Sequence, residues 1–394
     1  MRNRDLAAAA APETGRVYPL PSASPALPAE RPALTPEAKP KQGRIEAIDF
    51  ARGLAVTLMI LSHGVKGLLT FEQFPAWGLV PIHLITKFSS SLFFLVFGLS
   101  LAIVHLPAVG TARWPAKRTR LLVRGIKILF WYKVLTIVEM FALYSREDIL
   151  NTLTYSAFPV YVEILGYYAI ALLWIPFALP AWKKTPLALK LAAPLLAGVG
   201  AYYAHHYVDF GSVGLQAILV EHQNHYTWGQ LTRLPLVLLG VLVGEFYLWN
   251  RDRKGNYFWP SAISLGAAAL LLGAFYWLKE TPLAAEFLSF AMNEGKHPPE
   301  RDFTLFSVGG AFLLLSLSFF GGNFLARALR PITIIGQDAL QAFVCHIFVI
   351  FVFYRYLFDY FHKTTYEHAL LLTGLLIGIT AVWIKTVSWV KVRS

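Results

Sequence analysis

Three residues of one apolar stretch carry the first chemical signal. The segment IDFARGLAVTLMILSHG holds Asp49, Arg52 and His63 in an otherwise apolar run, with Arg52 and His63 eleven positions apart. On a helix turning about 100° and rising about 1.5 Å per residue, they share a face within roughly 20° and lie about 16 Å apart along the axis. A guanidinium fork binds phosphate or carboxylate bidentately, and an imidazole accepts a proton near neutral pH. One stripe could therefore hold an anion at one end and move a proton at the other. Gly53 removes side-chain bulk beside Arg52 and permits close approach of a ligand or a neighbouring helix. The plainer reading has Arg52 reaching headgroups, Asp49 as its charge partner at i,i+3, and His63 as a satisfied histidine.

A later stretch, PITIIGQDALQAFVCHIFVIF, repeats the pattern with Asp338, Gln341 and His346. Helix-packing hydrogen bonds account for such residues, and a proton relay or acceptor site would need them too. Lys133, Glu139, Glu163 and Glu245 also fall in apolar runs, and mutual charge pairing is the expectation for most of them. Ser89–Ser91 and Gly98 read as close helix packing. His222 and His225 follow Glu221 at a spacing that can hold zinc on a helix, but no fuller ligand signature accompanies them. No metal is expected.

The elements that must carry these residues follow from composition. Of 394 residues, 56% are hydrophobic and 15% charged, against roughly 45–50% and about 25% in soluble domains. A water-soluble enzyme is excluded, and the bilayer is the solvent. The formal charge of +12 fits Lys and Arg held on the cytoplasmic side rather than a nucleic-acid partner. With Cys345 the only cysteine, no intrachain disulfide is possible.

Residues 1–43 are Ala/Pro-rich without periodicity and read as a disordered cytoplasmic tail. From residue 44 to 394, apolar runs near the 17–25 residues of a spanning helix recur at about 47–69, 84–106, 120–143, 158–180, 186–206, 231–249, 258–278, 303–321, 332–355 and 368–389. The fold class is an all-α polytopic integral membrane protein of about ten transmembrane helices. With the N-terminus inside, loop Lys and Arg number about 17 inside against 9 outside, so both termini are expected in the cytoplasm. Two outer stretches, about 207–230 and 279–302, are long enough to do more than turn.

The run from Arg44 to Val56 resembles the "LDxxRGxA" opening of the transmembrane acyltransferase superfamily, which includes the acyltransferase 3 and heparan-α-glucosaminide N-acetyltransferase-like proteins. Its members place a histidine eleven residues after the motif arginine, here His63. LFFLVFGLSLAIV is similar to the family's "FFxxxG" helix, and Lys296 to Pro299 to its "KYPPS" element, with Glu300 in place of the serine. The stretch from Gly336 to His346 resembles a late "LG..SL..Y..H" helix. The resemblance covers about residues 44–355. It implies acyl transfer from cytoplasmic acyl-CoA, acetyl-CoA being expected, to an extracytoplasmic sugar or polysaccharide hydroxyl or amine. By that implication His63 is catalytic, Arg52 helps hold the donor, and Asp338 with His346 forms a second polar site. No permanently bound cofactor is implied, and acyl-CoA is a co-substrate. A bacterial inner (plasma) membrane is the expected location.

The chemistry is coherent on its own. A thioester carbonyl needs a nucleophile relieved of its proton, which a neutral imidazole supplies. Coenzyme A phosphates need cations, and Arg118, Arg120 and Arg124 supply them near the inner end. Lys296 and Arg233 stand on the acceptor side. The main rival is a secondary transporter or flippase using the same buried groups as a proton and substrate path, although no internal repeat is visible. A third reading is a non-catalytic assembly subunit whose polar residues serve only helix packing.

Overall fold

The computed structural model describes residues 45–393, so the expected tail lies outside the described residues. Ten long helices follow one another: α1 (Glu46–Leu68), α2 (Ala76–Ala108), α3 (Trp114–Met140), α4 (Glu163–Lys184), α5 (Leu187–Tyr207), α6 (Gln230–Lys254), α7 (Phe258–Leu278), α8 (Arg301–Ala328), α9 (Ala339–Leu357) and α10 (Tyr366–Arg393). No β-strand is present among the described residues. The chain is an all-α, multi-pass membrane protein. Nine of these helices are long and apolar enough to cross a bilayer. The other is α3, whose first half carries Lys117, Arg118, Arg120, Arg124 and Lys127.

Contacts between helix ends sort those ends into two groups. At one end Glu46 meets Arg327 (3.2 Å), Lys183 donates to the carbonyl of Val109, and Lys190 pairs with Glu245. At the opposite end Tyr161 donates to the carbonyl of Lys66, and the amide of His362 to that of Leu68. Both ends of the described chain thus lie together, at the end where Arg113, Lys117, Arg118, Lys183, Arg251 and Arg327 gather. Reporters fused after residues 110 and 255 are expected to read cytoplasmic, because bilayers hold basic loops inside. An external signal at either would reverse the orientation.

Two departures from the sequence reading have local causes. The second helix begins at Ala76 rather than near residue 84, because the stretch around Leu79–His83 continues as a wide π turn. The ninth span is broken at Asp338 (φ −142°, ψ 79°), which separates a short helix, Arg330–Gln337, from α9. The Asp338 carboxylate accepts from the amide of Gln341 and caps α9.

Helix α1 sits centrally and α5 peripherally: 61% of the apolar window of α1 is buried, against 6% for α5. Helix α1 packs against α2, α8, α10 and the 330–337 helix. The last contact is backbone on backbone. A Cβ on Gly53 would overlap the carbonyl of Ile332, and one on Gly336 the carbonyl of Asp49. Only two glycines let the helices meet this closely, so it is a neighbouring helix that Gly53 admits. Serines join the core as expected, Ser89 donating to the carbonyl of Ala55 and Ser91 to the hydroxyl of Ser307. Charge pairing holds for Glu245 alone among the four intramembrane groups. Glu163 accepts from the hydroxyl of Tyr132 (2.6 Å), Glu139 from the amides of Val160 and Tyr161, and Lys133 donates to the carbonyl of Leu153.

Candidate active site

A cavity of about 440 Å³ opens at the end opposite the basic one, within the size range of small-molecule sites. Ser62, His63 and Lys66 of α1 form one wall and Ser89 and Ser90 of α2 another. Tyr161, Tyr226, Trp228, Asn293 and Lys296 come from the connecting segments.

His63 Nδ1 lies 3.2 Å from His346 Nε2, and His346 Nδ1 lies 2.7 Å from the carbonyl oxygen of Ala342, one turn earlier in α9. A carbonyl only accepts, so His346 Nδ1 carries a proton and donates it. In the neutral ring its Nε2 then accepts, and His63 Nδ1–H must donate. This assigns the tautomer of His63 and leaves its Nε2 with the lone pair, the form that a base or nucleophile requires. The edge of Tyr161 packs on the His63 ring at 5.2 Å between centroids, and Glu139, through the amides of Val160 and Tyr161, holds that segment in place.

Arg52 occupies the other end of the same helix. Its Nη1 bonds Asp49 Oδ1 (3.1 Å) and the carbonyl of Gly336 (2.9 Å), and its Nη2 bonds Ser100 Oγ (2.9 Å). The guanidinium therefore ties α1, α2 and the 330–337 helix into one seam. Asp49 is its i,i+3 ion partner, as the spacing anticipates. Arg118, Arg120 and Arg124 are exposed on α3 at this same basic end.

The structure divides the remaining candidates. Asp338 and His346 do not share a site: Asp338 caps α9 at the basic end and lies 3.5 Å from Lys391 Nζ, whereas His346 is fully buried two turns along, against His63. Lys296 lines the cavity, with Nζ donating to the hydroxyl of Tyr226. Arg233 stands behind the wall, its Nε on Glu221 Oε1 (2.7 Å) and Nη2 on the carbonyl of Lys296. His222 and His225 lie near each other, their rings 5.5 Å apart. No group of three His, Cys, Asp or Glu that could hold a metal comes together among the described residues.

Sequence reasoning missed the buried network of Glu221, Arg233 and His297. Glu221 is completely buried, takes two bonds from Arg233, and accepts from His297 Nδ1 (3.0 Å). No pattern announces it, because the partners are 12 and 76 positions apart. Burial raises the proton affinity of Glu221, but Arg233 and the His297 bond outweigh it and hold the carboxyl well below its usual range. Burial likewise presses the His297 imidazole from 6.5 down to about 4, against the opposing pull of Glu221. The unfolded chain then binds more protons than the folded one as pH falls from about 6.5 toward 4, and stability falls with it. Thermal melts should show this acid loss, and a His297→Gln variant should show a smaller one over the same interval. Equal losses in both proteins would remove His297 from the account.

Against known proteins, residues 44–279 match the family model described as "Heparan-alpha-glucosaminide N-acetyltransferase, catalytic". That interval is more than half the chain and runs from α1 to the end of α7. It contains His63, Arg52 and the arginines of α3, and ends before Lys296 and His346. A comparison with curated proteins finds no match.

Proposed function

The chain belongs to the heparan-alpha-glucosaminide N-acetyltransferase catalytic family, and from that premise we propose that it carries an acyl group, acetyl being expected, from cytoplasmic acyl-CoA to a sugar in the opposite cavity. The observation that supports this best is His63, with its Nε2 lone pair assigned by His346 and its ring in the wall of a cavity at the far end from the basic cluster. Acyl-CoA docks its phosphates at the cationic inner end, where Arg118, Arg120 and Arg124 are exposed, and its thioester reaches toward His63.

The chemistry then closes without further groups. A sugar hydroxyl or amine in the cavity gives its proton to His63 Nε2 as its oxygen or nitrogen attacks the thioester carbonyl. The tetrahedral intermediate collapses by breaking the carbon–sulfur bond. The imidazolium returns the proton to the departing thiolate, leaving the acylated sugar, free coenzyme A and a neutral histidine. His346 is a positioning residue in this scheme, holding the reactive tautomer. Arg52 acts at the seam that aligns α1 with α2, beside the route of the donor. A basic cytoplasmic face and a multi-pass fold agree with residence in a bacterial inner membrane.

The test is release of free coenzyme A from acetyl-CoA by the purified, detergent-solubilised protein supplied with a mixture of candidate sugars. Release that depends on a sugar supports the reading. Replacing both Arg120 and Arg124 by alanine should raise KM for acetyl-CoA by about tenfold or more with kcat little changed, as expected when a ground-state phosphate contact is removed. No release from acetyl-CoA or succinyl-CoA by folded protein would sink the proposal in favour of a transporter.

A further inference from the structure

Two lysines, Lys66 and Lys296, line the cavity beside His63, and a third, Lys87, stands behind its wall, with no buried carboxylate among the described residues paired to any of them. Lys66 follows His63 by three positions on the same face of α1 and lines the cavity. Lys296 lines it from the 279–301 segment, its Nζ 5.1 and 5.2 Å from the ring centres of Tyr226 and Trp228. Lys87 is 1% exposed and donates to Asn293 Oδ1 at 2.6 Å, and Asn293 is itself part of the wall. None of the three has an ion pair among the described residues. The buried carboxylates nearby are already engaged, Glu221 by Arg233 and His297, and Glu139 by two backbone amides. Among the described residues that line the cavity, the only carboxylate is that of Glu72, which is exposed at the rim.

Uncompensated buried cations are costly, and lysines with no other purpose reach outward to water or headgroups. Lys87 does not, because it is enclosed. Burial, with Lys66 and Arg233 close by, lowers the proton affinity of Lys296, a penalty that a bound anion would relieve.

Resting on the acyl-transfer reading, we propose that Lys66 and Lys296, backed by Lys87 through Asn293, form a subsite for an oxyanionic group, carboxylate, sulfate or phosphate, that one of the two substrates carries into the cavity. A lysine ammonium suits it as a compact point charge with three donors. The carrier is either the acceptor, as a sugar acid or sugar phosphate, or the acyl group, as the half-thioester of a dicarboxylic acid.

The experiment is a calorimetric titration of the purified full chain with matched probes: glucuronate against glucose, glucose 6-phosphate against glucose, and succinyl-CoA against acetyl-CoA. The charged member of at least one pair should bind about tenfold tighter or more, the scale of one charge-assisted contact. Preference in a sugar pair assigns the anion to the acceptor, and preference in the thioester pair assigns it to the donor. Lys66→Gln and Lys296→Gln should each remove most of that preference, and Lys66→Arg should retain it, which separates lost charge from misfolding. Ratios near one for all three pairs in wild type, or ratios unmoved by the glutamine variants, would overturn the subsite. Because binding is read without turnover, selective binding with no coenzyme A release keeps the subsite and fails the acyl-transfer reading. Release with no charge preference does the reverse.

Discussion

His63→Ala is expected to lower acyl transfer by about 10³-fold, the middle of the range for loss of a positioned general base, while the protein stays folded. The ring is replaced by a methyl group beside an existing cavity, so little packing is lost and no buried charge is stranded. What disappears is the one imidazole nitrogen that the hydrogen bonds of His346 leave as an acceptor at the cavity. The measurement is free coenzyme A release under single-turnover conditions, beside a thermal melt of the same preparation. A variant that melts like wild type and retains more than about a tenth of its rate would mean that His63 is not the base, given the magnitude such a base contributes. His346 offers the companion test. Its glutamine variant can still accept from His63 Nδ1–H and should recover part of the rate that His346→Ala loses, which a purely volumetric role would not produce.

Gly336→Ala is expected to cost more stability than any other single methyl group, by about 2 kcal/mol or more, as for overpacking where backbone must shift. The added Cβ would overlap the carbonyl oxygen of Asp49 and crowd the amide of Gly53. Neither is the end of a flexible side chain, so two helices must separate. The same carbonyl of Gly336 accepts from Arg52, so the displacement also disturbs the bonds that join α1 to α2. A thermal melt in detergent reads the effect. Gly53→Ala should act similarly, and the double variant should lose less than the sum, since either methyl group already opens the contact. A Gly336→Ala protein that melts with wild type would show that the seam is not tightly closed.

How far the sequence reached depended on whether a feature was local. Ten apolar runs of spanning length are visible because hydrophobic thickness is satisfied within each segment, whatever its neighbours do. The basic end is visible for the same reason, since loop charge is counted loop by loop. His63 and Arg52 stand out because an imidazole and a guanidinium on one apolar stripe are expensive unless something uses them. Asp49 as the partner of Arg52 follows from i,i+3 spacing alone.

What the sequence could not reach were pairings across helices. His346 completes His63 from 283 positions away, and Glu221 is neutralised by Arg233 and His297 from separate segments. Asp338 and His346, neighbours in one apolar run, are held at different depths with different partners, Lys391 and His63, because eight residues of helix span about 12 Å. Two lysines that read as scattered single charges, Lys66 and Lys296, meet on one cavity, and Lys87 reaches its wall through Asn293. Hydropathy and helix periodicity are properties of a segment and survive without the fold. The meeting of two rings, or of an ammonium with a cavity, depends on which helix faces lie against each other, and here that is decided by tertiary packing such as the glycine contact between α1 and the 330–337 helix.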